Sequence, residues 1–341
     1  MKATATPIER EAELERLALA VEGAAAEEGA FVVVRGSAAH SNGRSALTET
    51  AKRRVPLTSP RAPIRSIGWV PEGDTLHHAA QRVGAALVGS EILEIETPHP
   101  RHRHDRWPER LAGRGVRQVD ARGKHLFLRF EGNLTLHSHL RMGGRWSVYR
   151  RGQRWTRSSH RAWLVMRTPE HEVVQFDGPV LELMTDSRTR FDLRLAALGP
   201  DILADEFDET QFLRRLREDD PTRGIGDALL DQRVLSGIGN VWKSEACFLA
   251  GVDPWRRTDE VGDEEVLAIV RGARPLMQVS AERGGHIVTR YPRDRRNPRS
   301  DEDKWVYERT GLPCRHCDTR VRSRGQGDDN RTTYWCPECQ A

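Results

Sequence analysis

Apolar positions first become regular near residue 75, where Leu76, Ala79, Ala80, Val83 and Leu87 fall on one face of a helix. Asp74 is placed to cap that helix and Gly89 to end it. Ile92 and Ile95 suggest a strand, and the basic, histidine-rich stretch 98–108 reads as a solvated loop. From Leu126 the period switches to two. Leu126, Leu128 and Phe130 alternate with polar partners, Glu131-Gly132-Asn133 turns the chain, and Leu134, Leu136 and Ser138 continue a hairpin. Further strands are expected at 146–149, 162–167, 172–176 and 180–184, with turn signals at Pro169-Glu170 and Asp177-Gly178. Short strands at this spacing predict a β-sandwich or barrel. Past Leu198-Gly199-Pro200 the pattern turns helical, over 208–217, 226–235, 241–249 and 263–274. The chain therefore reads as α+β and multidomain, with a boundary near residue 200 and no internal repeat.

Residues 1–69 do not share this order. Leu14, Leu17 and Val21 lie at helical spacing in an Ala- and Glu-rich stretch, but 37–67 is Ser, Arg, Pro and Ala without a period, too poor in apolar surface to hold a fold. The segment reads as disordered or as translated upstream DNA, the alternative being a real extension that is either processed or retained.

A length of 341 residues suits about two domains. The 54 Lys and Arg against 50 acids give a small positive excess, a weak pointer to a polyanionic partner. No apolar run approaches the roughly 20 residues needed to cross a bilayer, and no signal peptide opens the chain. The expectation is a cytoplasmic monomer with no membrane partner.

Four of the five cysteines form Cys314-x2-Cys317-x18-Cys336-x2-Cys339. Two such knuckles offer four thiolates to one structural Zn²⁺, with a β-hairpin between them, around Gly325-Gln326-Gly327. A redox pair is the alternative, but no thioredoxin-like strand precedes either knuckle. The fifth, Cys247, reads as a small core residue.

The motif set resembles the formamidopyrimidine-DNA glycosylase and endonuclease VIII family. Val70-Pro71-Glu72-Gly73-Asp74-Thr75 is similar to the family's mature N-terminus, with Val70 in the place of the initiator Met, as a GUG start codon would be written. On its own the stretch equally describes a loop with a proline and a helix cap. Leu230-Asp231-Gln232-Arg233-Val234-Leu235-Ser236-Gly237-Ile238-Gly239-Asn240 resembles the family's helix, two turns, helix element, whose second helix presents unpaired N–H groups to an anion. Arg122-Gly123-Lys124-His125, the segment His137-Ser138-His139-Leu140-Arg141-Met142 and the ending Arg331-Thr332-Thr333-Tyr334-Trp335-Cys336 match further family segments in the family's order. Asn330 stands where the family usually has Gly, and Arg190-Phe191 fits only loosely. The paired histidines His137 and His139 read as hydrogen-bonded structural residues.

The resemblance covers residues 70–341 and implies 70–199 as a catalytic β-sandwich flanked by helices, 200–290 as a helix-two-turn-helix DNA-binding domain, and 291–341 as a segment with a zinc ribbon. It implies a bifunctional DNA glycosylase and abasic-site lyase acting on double-stranded DNA with oxidised bases or abasic sites. Pro71 is then the Schiff-base nucleophile, Glu72 the general acid, and Lys124 and Arg331 the residues of β,δ-elimination and phosphate contact. Asn240 grips phosphate and Met142 fills the void left by the extruded nucleotide. The Pro-Glu-Gly-Asp-Thr opening favours the endonuclease VIII branch and oxidised pyrimidines. A non-catalytic damage-binding protein that retains residues 1–69, and an 8-oxoguanine-directed enzyme, are the alternatives.

Overall fold

A computed structural model of the chain describes residues 71–290 and 303–341. The helix expected within residues 1–69, the aperiodic stretch after it and Val70 lie outside the described residues. The first described helix, α1 (Gly73–Leu87), buries Leu76, Ala80, Val83 and Leu87, the stripe that the sequence pattern marks. Its start differs from expectation: Glu72 takes the cap position in extended conformation, and Asp74 lies inside the first turn with its side chain buried. The reason is a backbone contact made far along the chain. Gly73 N donates to Gly237 O at 2.9 Å, and a Cβ on Gly73 would stand 2.8 Å from Gly237 Cα. Only glycine can open the helix there.

The strands β1 (Glu94–Glu96), β2 (Val116–Arg122), β3 (His125–Phe130), β4 (Leu134–His139), β5 (Arg145–Arg150), β6 (Ala162–Arg167), β7 (His171–Phe176) and β8 (Val180–Thr185) form two antiparallel sheets, ordered β1-β6-β7-β5 and β2-β3-β4-β8. Leu126, Leu128, Phe130 and Leu136 of one sheet meet Leu164, Met166 and Val173 of the other, with α1 closing the core through Leu76 and Val83. Period-two alternation places these residues on one face. Strand β2 escapes the pattern because only Val116 is buried in it. The stretch 98–108 is exposed at Arg101, Arg103, His104 and Arg106, as a solvated loop would be, but it is anchored: His99 stacks on Trp163 at 3.9 Å, and buried His102 stacks on Trp107 at 4.3 Å and bonds Asp105 at 2.8 Å. It carries a 3-10 turn and leads into the short helix α2 (Trp107–Leu111).

After β8 the chain is helical: α3 (Asp186–Phe191), α4 (Leu193–Ala196), α5 (Glu209–Glu218), α6 (Ile225–Ala228), α7 (Asn240–Ala250) and α8 (Asp263–Glu282). Asp208 caps α5 by accepting from Gln211 N at 2.8 Å. The helix expected over 226–235 stops after Ala228. Its later carbonyls are taken elsewhere, Gln232 O by Gly199 N and Arg233 O by Arg215, both through bonds across the fold. Conversely α8 runs past its expected end and through Pro275, held by buried Leu276, Met277 and Val279. Cys247 is a buried core residue, as expected.

The last strands, β9 (Arg322–Gln326) and β10 (Arg331–Trp335), pair antiparallel around a tip at 327–330, where Asn330 adopts a left-handed φ of 49°. Buried Glu245 ties α7 to the incoming tail: its carboxylate accepts from Trp305 N, Val306 N and Tyr307 N at 2.8–2.9 Å, and from the Thr289 hydroxyl. Among the described residues no helix is long and apolar enough to cross a membrane.

Candidate active site and metal centre

Pro71 is buried immediately ahead of α1. Glu72, next to it, is fully buried, and its carboxylate sits on the N-terminus of α7. Oε1 accepts from Val241 N at 2.9 Å; Oε2 accepts from Gly239 N at 3.1 Å and Trp242 N at 3.3 Å. The free N–H groups of a helix start are natural carboxylate donors. Close approach is possible only because position 239 is glycine, since a Cβ there would lie 2.4 Å from Glu72 Cδ. Burial raises the Glu72 pKa, while the charge of Lys124 and the three amides pull it back.

Lys124 occupies the turn between β2 and β3, reached through Gly123 in left-handed conformation at φ 58°. It is half-buried rather than a freely exposed strand-entry lysine. Burial lowers its pKa, the Glu72 carboxylate opposes that shift, and the Arg331 guanidinium reinforces it. Lys124 thus feels the charges of both Glu72 and Arg331, residues far from it in the sequence.

Arg331 opens β10 beside the hairpin tip and is exposed, with Asp329 at 3.7 Å. Asn240 opens α7, and its Nδ2 donates to Thr332 O at 2.8 Å, so it secures the strand that carries Arg331. Its Oδ1 is buried and unpartnered. Met142 stands apart in the turn after β4 as an exposed side chain, 58% accessible. Arg141 N donates to His139 Nδ1 at 3.1 Å at the base of that turn. Phe191, at the end of α3, is likewise exposed, at 74%.

His137 is hydrogen-bonded to His125, whose Nδ1 lies 2.8 Å from His137 Nε2, and His139 stands edge-on to His125 with ring centroids 4.7 Å apart. Burial depresses all three, His125 to about 2 and His137 and His139 to about 4. Neutral imidazoles paired in this way are structural, as the alternating strand implies.

Among the ionisable groups whose burial the sequence reading did not foresee are Asp74, Lys243 and Asp201. Asp74 bonds Ser280 of α8 at 2.5 Å, and burial pushes its carboxyl up to about 7, with Glu72 adding to the rise. Lys243 is fully buried under the hairpin, where Nζ donates to Thr333 Oγ1 at 2.5 Å, Thr333 donates to Gln326 at 2.7 Å, and Gln326 donates to Pro254 O at 2.7 Å. Burial lowers Lys243 to about 8. Asp201 is 8% exposed in the connection before α5. Lys243 lies in a helix with Val241, Trp242, Ala246 and Cys247, but Ser244 and Glu245 beside it make it read as part of a polar face; Asp74 and Asp201 likewise give no sign of burial.

The sulfurs of Cys314, Cys317, Cys336 and Cys339 all lie within 4.8 Å of one another. Individual separations are 3.9 Å for Cys314–Cys339 and 3.4 Å for Cys317–Cys336 and Cys317–Cys339. A tetrahedral thiolate set around Zn²⁺ has S···S edges of about 3.8 Å, given a Zn–S bond of about 2.3 Å. The four residues form a metal site consistent with structural zinc.

Comparison with known proteins agrees with this arrangement. The profile of the formamidopyrimidine-DNA glycosylase N-terminal domain matches residues 70–191, and that of the formamidopyrimidine-DNA glycosylase H2TH domain matches 198–291. The chain is 41% identical over 276 residues to a probable endonuclease 8 2 of Streptomyces coelicolor, covering 80% of this chain and 94% of that one. It is 37% identical over 272 residues to the DNA-(apurinic or apyrimidinic site) lyase Nei2 of Mycolicibacterium smegmatis, covering 80% of this chain and 99% of that one. The fold superposes with a TM-score of 0.66, at 23% identity, on a Lactococcus lactis FPG mutant in complex with Fapy-dG DNA, covering 79% of this chain and 99% of that one.

Proposed function

The chain belongs to the formamidopyrimidine-DNA glycosylase and endonuclease VIII family, a family of bifunctional DNA glycosylase and abasic-site lyase enzymes, and we propose that it excises oxidised bases, pyrimidines foremost, from double-stranded DNA through Pro71. The observation that carries this reading is the burial of Glu72 beside Pro71 on the amides of Gly239, Val241 and Trp242, with the charge of Lys124 acting on it.

The nucleophile is the Pro71 nitrogen. As a free secondary amine its pKa is roughly 8, so an appreciable fraction is unprotonated at neutral pH. It forms a bond to C1′ as the C1′–base bond breaks, the base leaving with the bonding pair and taking up the proton that the nitrogen loses. Glu72 gives its proton to O4′ as the C1′–O4′ bond breaks and the sugar ring opens to a cationic iminium. That cation acidifies C2′–H; loss of the proton expels the 3′ phosphate, and a second proton loss expels the 5′ phosphate. Lys124, with its pKa lowered by burial, takes part in these proton transfers, and Arg331 and Asn240 hold the phosphates flanking the lesion. Met142, exposed at its turn, fills the space vacated in the duplex, and Phe191 is presented for the same use.

Peptide-bonded, the Pro71 nitrogen is an amide and cannot attack. The functional chain accordingly begins at Pro71, after initiation at codon 70 and removal of the initiator. The family profile starts at residue 70, and 80% of this chain accounts for 94–100% of curated relatives. The domain division follows, with 70–199 catalytic, 200–290 binding DNA and 291–341 carrying the metal ribbon. Cys314, Cys317, Cys336 and Cys339 hold one Zn²⁺, which supplies a rigid node beneath the hairpin that carries Arg331. The protein acts as a monomer in the cytoplasm.

Mass and N-terminal sequence of the protein from its host, with borohydride trapping on an abasic duplex, test the reading. A Pro71 terminus and a covalent adduct are expected. Strand cleavage by a chain that retains residues 1–70 would overturn it. Side-by-side excision of an oxidised pyrimidine and of 8-oxoguanine tests the substrate class, and preference for 8-oxoguanine would reverse it.

A further inference from the structure

The two arms of the proposed site come from different parts of the chain. One is the start of α1, which carries Pro71 and Glu72; the other is the β2–β3 turn, which carries Lys124. They meet on a single carboxylate. Asp201 Oδ2 accepts from Gly123 N at 2.8 Å, one residue from Lys124, and is 2.9 Å from Nε2 of His77 on α1, one turn beyond Gly73. Its other oxygen accepts from Leu203 N at 3.0 Å, holding the connection between the sheets and the helices. Around it the backbone is pinned on every side: Ser236 N donates to Pro200 O at 2.9 Å, Ile202 N to Ser236 O at 3.0 Å, and Gly73 N to Gly237 O at 2.9 Å. A Cβ on Gly123 would stand 2.8 Å from Ser236 Cβ, so the Lys124 turn packs directly against the same junction.

We propose that Asp201 is a positioning residue: by accepting from Gly123 and His77 together, it sets the placement of Lys124 relative to Pro71 and Glu72. Two independent bonds on one buried oxygen make the two arms share a reference point. The carboxylate touches no reacting atom in this scheme. Its effect falls on the rate of the bound complex, because small displacements of reacting groups are felt in the chemical step more than in overall binding. The inference rests on the assignment of Pro71, Glu72 and Lys124 made above.

The test uses the chain beginning at Pro71, which matches whole relatives in extent, with single-turnover cleavage of a preformed abasic duplex at saturating enzyme. Affinity for a duplex bearing a non-cleavable abasic analogue is measured in parallel. Asp201→Ala and His77→Leu are expected to lower the saturating rate by about tenfold or more with affinity kept within about threefold, and His77→Gln, which keeps an N–H donor toward Asp201, to recover most of the rate lost in His77→Leu. An unchanged saturating rate in both Asp201→Ala and His77→Leu would overturn the proposal. So would a loss confined to affinity, or equal losses in His77→Gln and His77→Leu. Failure of the unsubstituted chain to form a borohydride-trapped adduct would instead remove the Pro71 assignment, which separates the two conclusions.

Discussion

The carboxylate of Glu72 and the amide of Val241 lie 2.9 Å apart across 169 positions of sequence, so the start of α1 is docked on the start of α7. The same carboxylate takes two further amides from α7 and its cap. Helix α7 and the proposed acid are thus parts of one hydrogen-bonded unit, and a change at either is felt at both.

Replacing Glu72 by Gln removes the transferable proton while keeping an oxygen for the α7 amides. Base excision is expected to fall by about 10²–10⁴-fold, with residual cleavage of a ready-made abasic site, because only the first step needs that acid. Single-turnover assays on a lesion duplex and on an abasic duplex check this. Equal rates for wild type and variant on the lesion duplex would remove Glu72 from the acid role.

Asp74 makes stability depend on pH. Its carboxyl is raised from 3.8 to about 7 in the fold, so between those values the folded state holds a proton that the unfolded state has released. Stability from this group is present below the unfolded pKa and is lost as pH rises through the folded one, at about 1.4 kcal/mol per pH unit within the window. Asp74→Asn should therefore gain stability relative to wild type as pH goes from 5 to 7, and hold that difference above 7. Urea melts of both proteins across the range measure it; parallel curves would contradict the buried, protonated state.

Lys243 supports the hairpin from below through Thr333 and Gln326. Lys243→Met keeps much of the side-chain volume and removes a buried charge, so stability should change by under about 1.5 kcal/mol. The register of Thr333 on α7 loses its anchor, however. Abasic-site cleavage and affinity should drop together, with Thr333→Val giving a similar, non-additive loss. Additive losses in the double variant would separate the two residues.

Metal removal is expected to unfold the ribbon locally, because apart from its cysteines its buried apolar residues are Val306 and Val321, packed on Phe248 of α7. One zinc per chain is expected by elemental analysis. Chelation, or Cys336→Ser, should abolish tight DNA binding while leaving the main melting transition of the two larger cores in place. A chelated protein that binds DNA with undiminished affinity would exclude the ribbon from the interface.

Much of this protein was determined by its sequence alone, because the signals concerned are local. Period-two alternation from Leu126 to Leu136 set a hairpin, the stripe from Leu76 to Leu87 set α1, and two Cys-x-x-Cys knuckles set a metal ribbon. The ordered motifs around Pro71, Lys124, Asn240 and Arg331 pointed to the family for the same reason, since each is written in adjacent residues. What tertiary structure decided lies where a partner stands far along the chain. Asp74 looks like a helix cap until Gly237 presses on Gly73 and Ser280 receives the carboxylate. The helix expected over 226–235 ends at Ala228 because Gly199 and Arg215 claim its later carbonyls. Asp201 and Lys243 are ordinary charged residues in the sequence; burial against distant backbone makes one a junction and the other a support, since desolvation and hydrogen-bond geometry exist only once the chain has closed on itself.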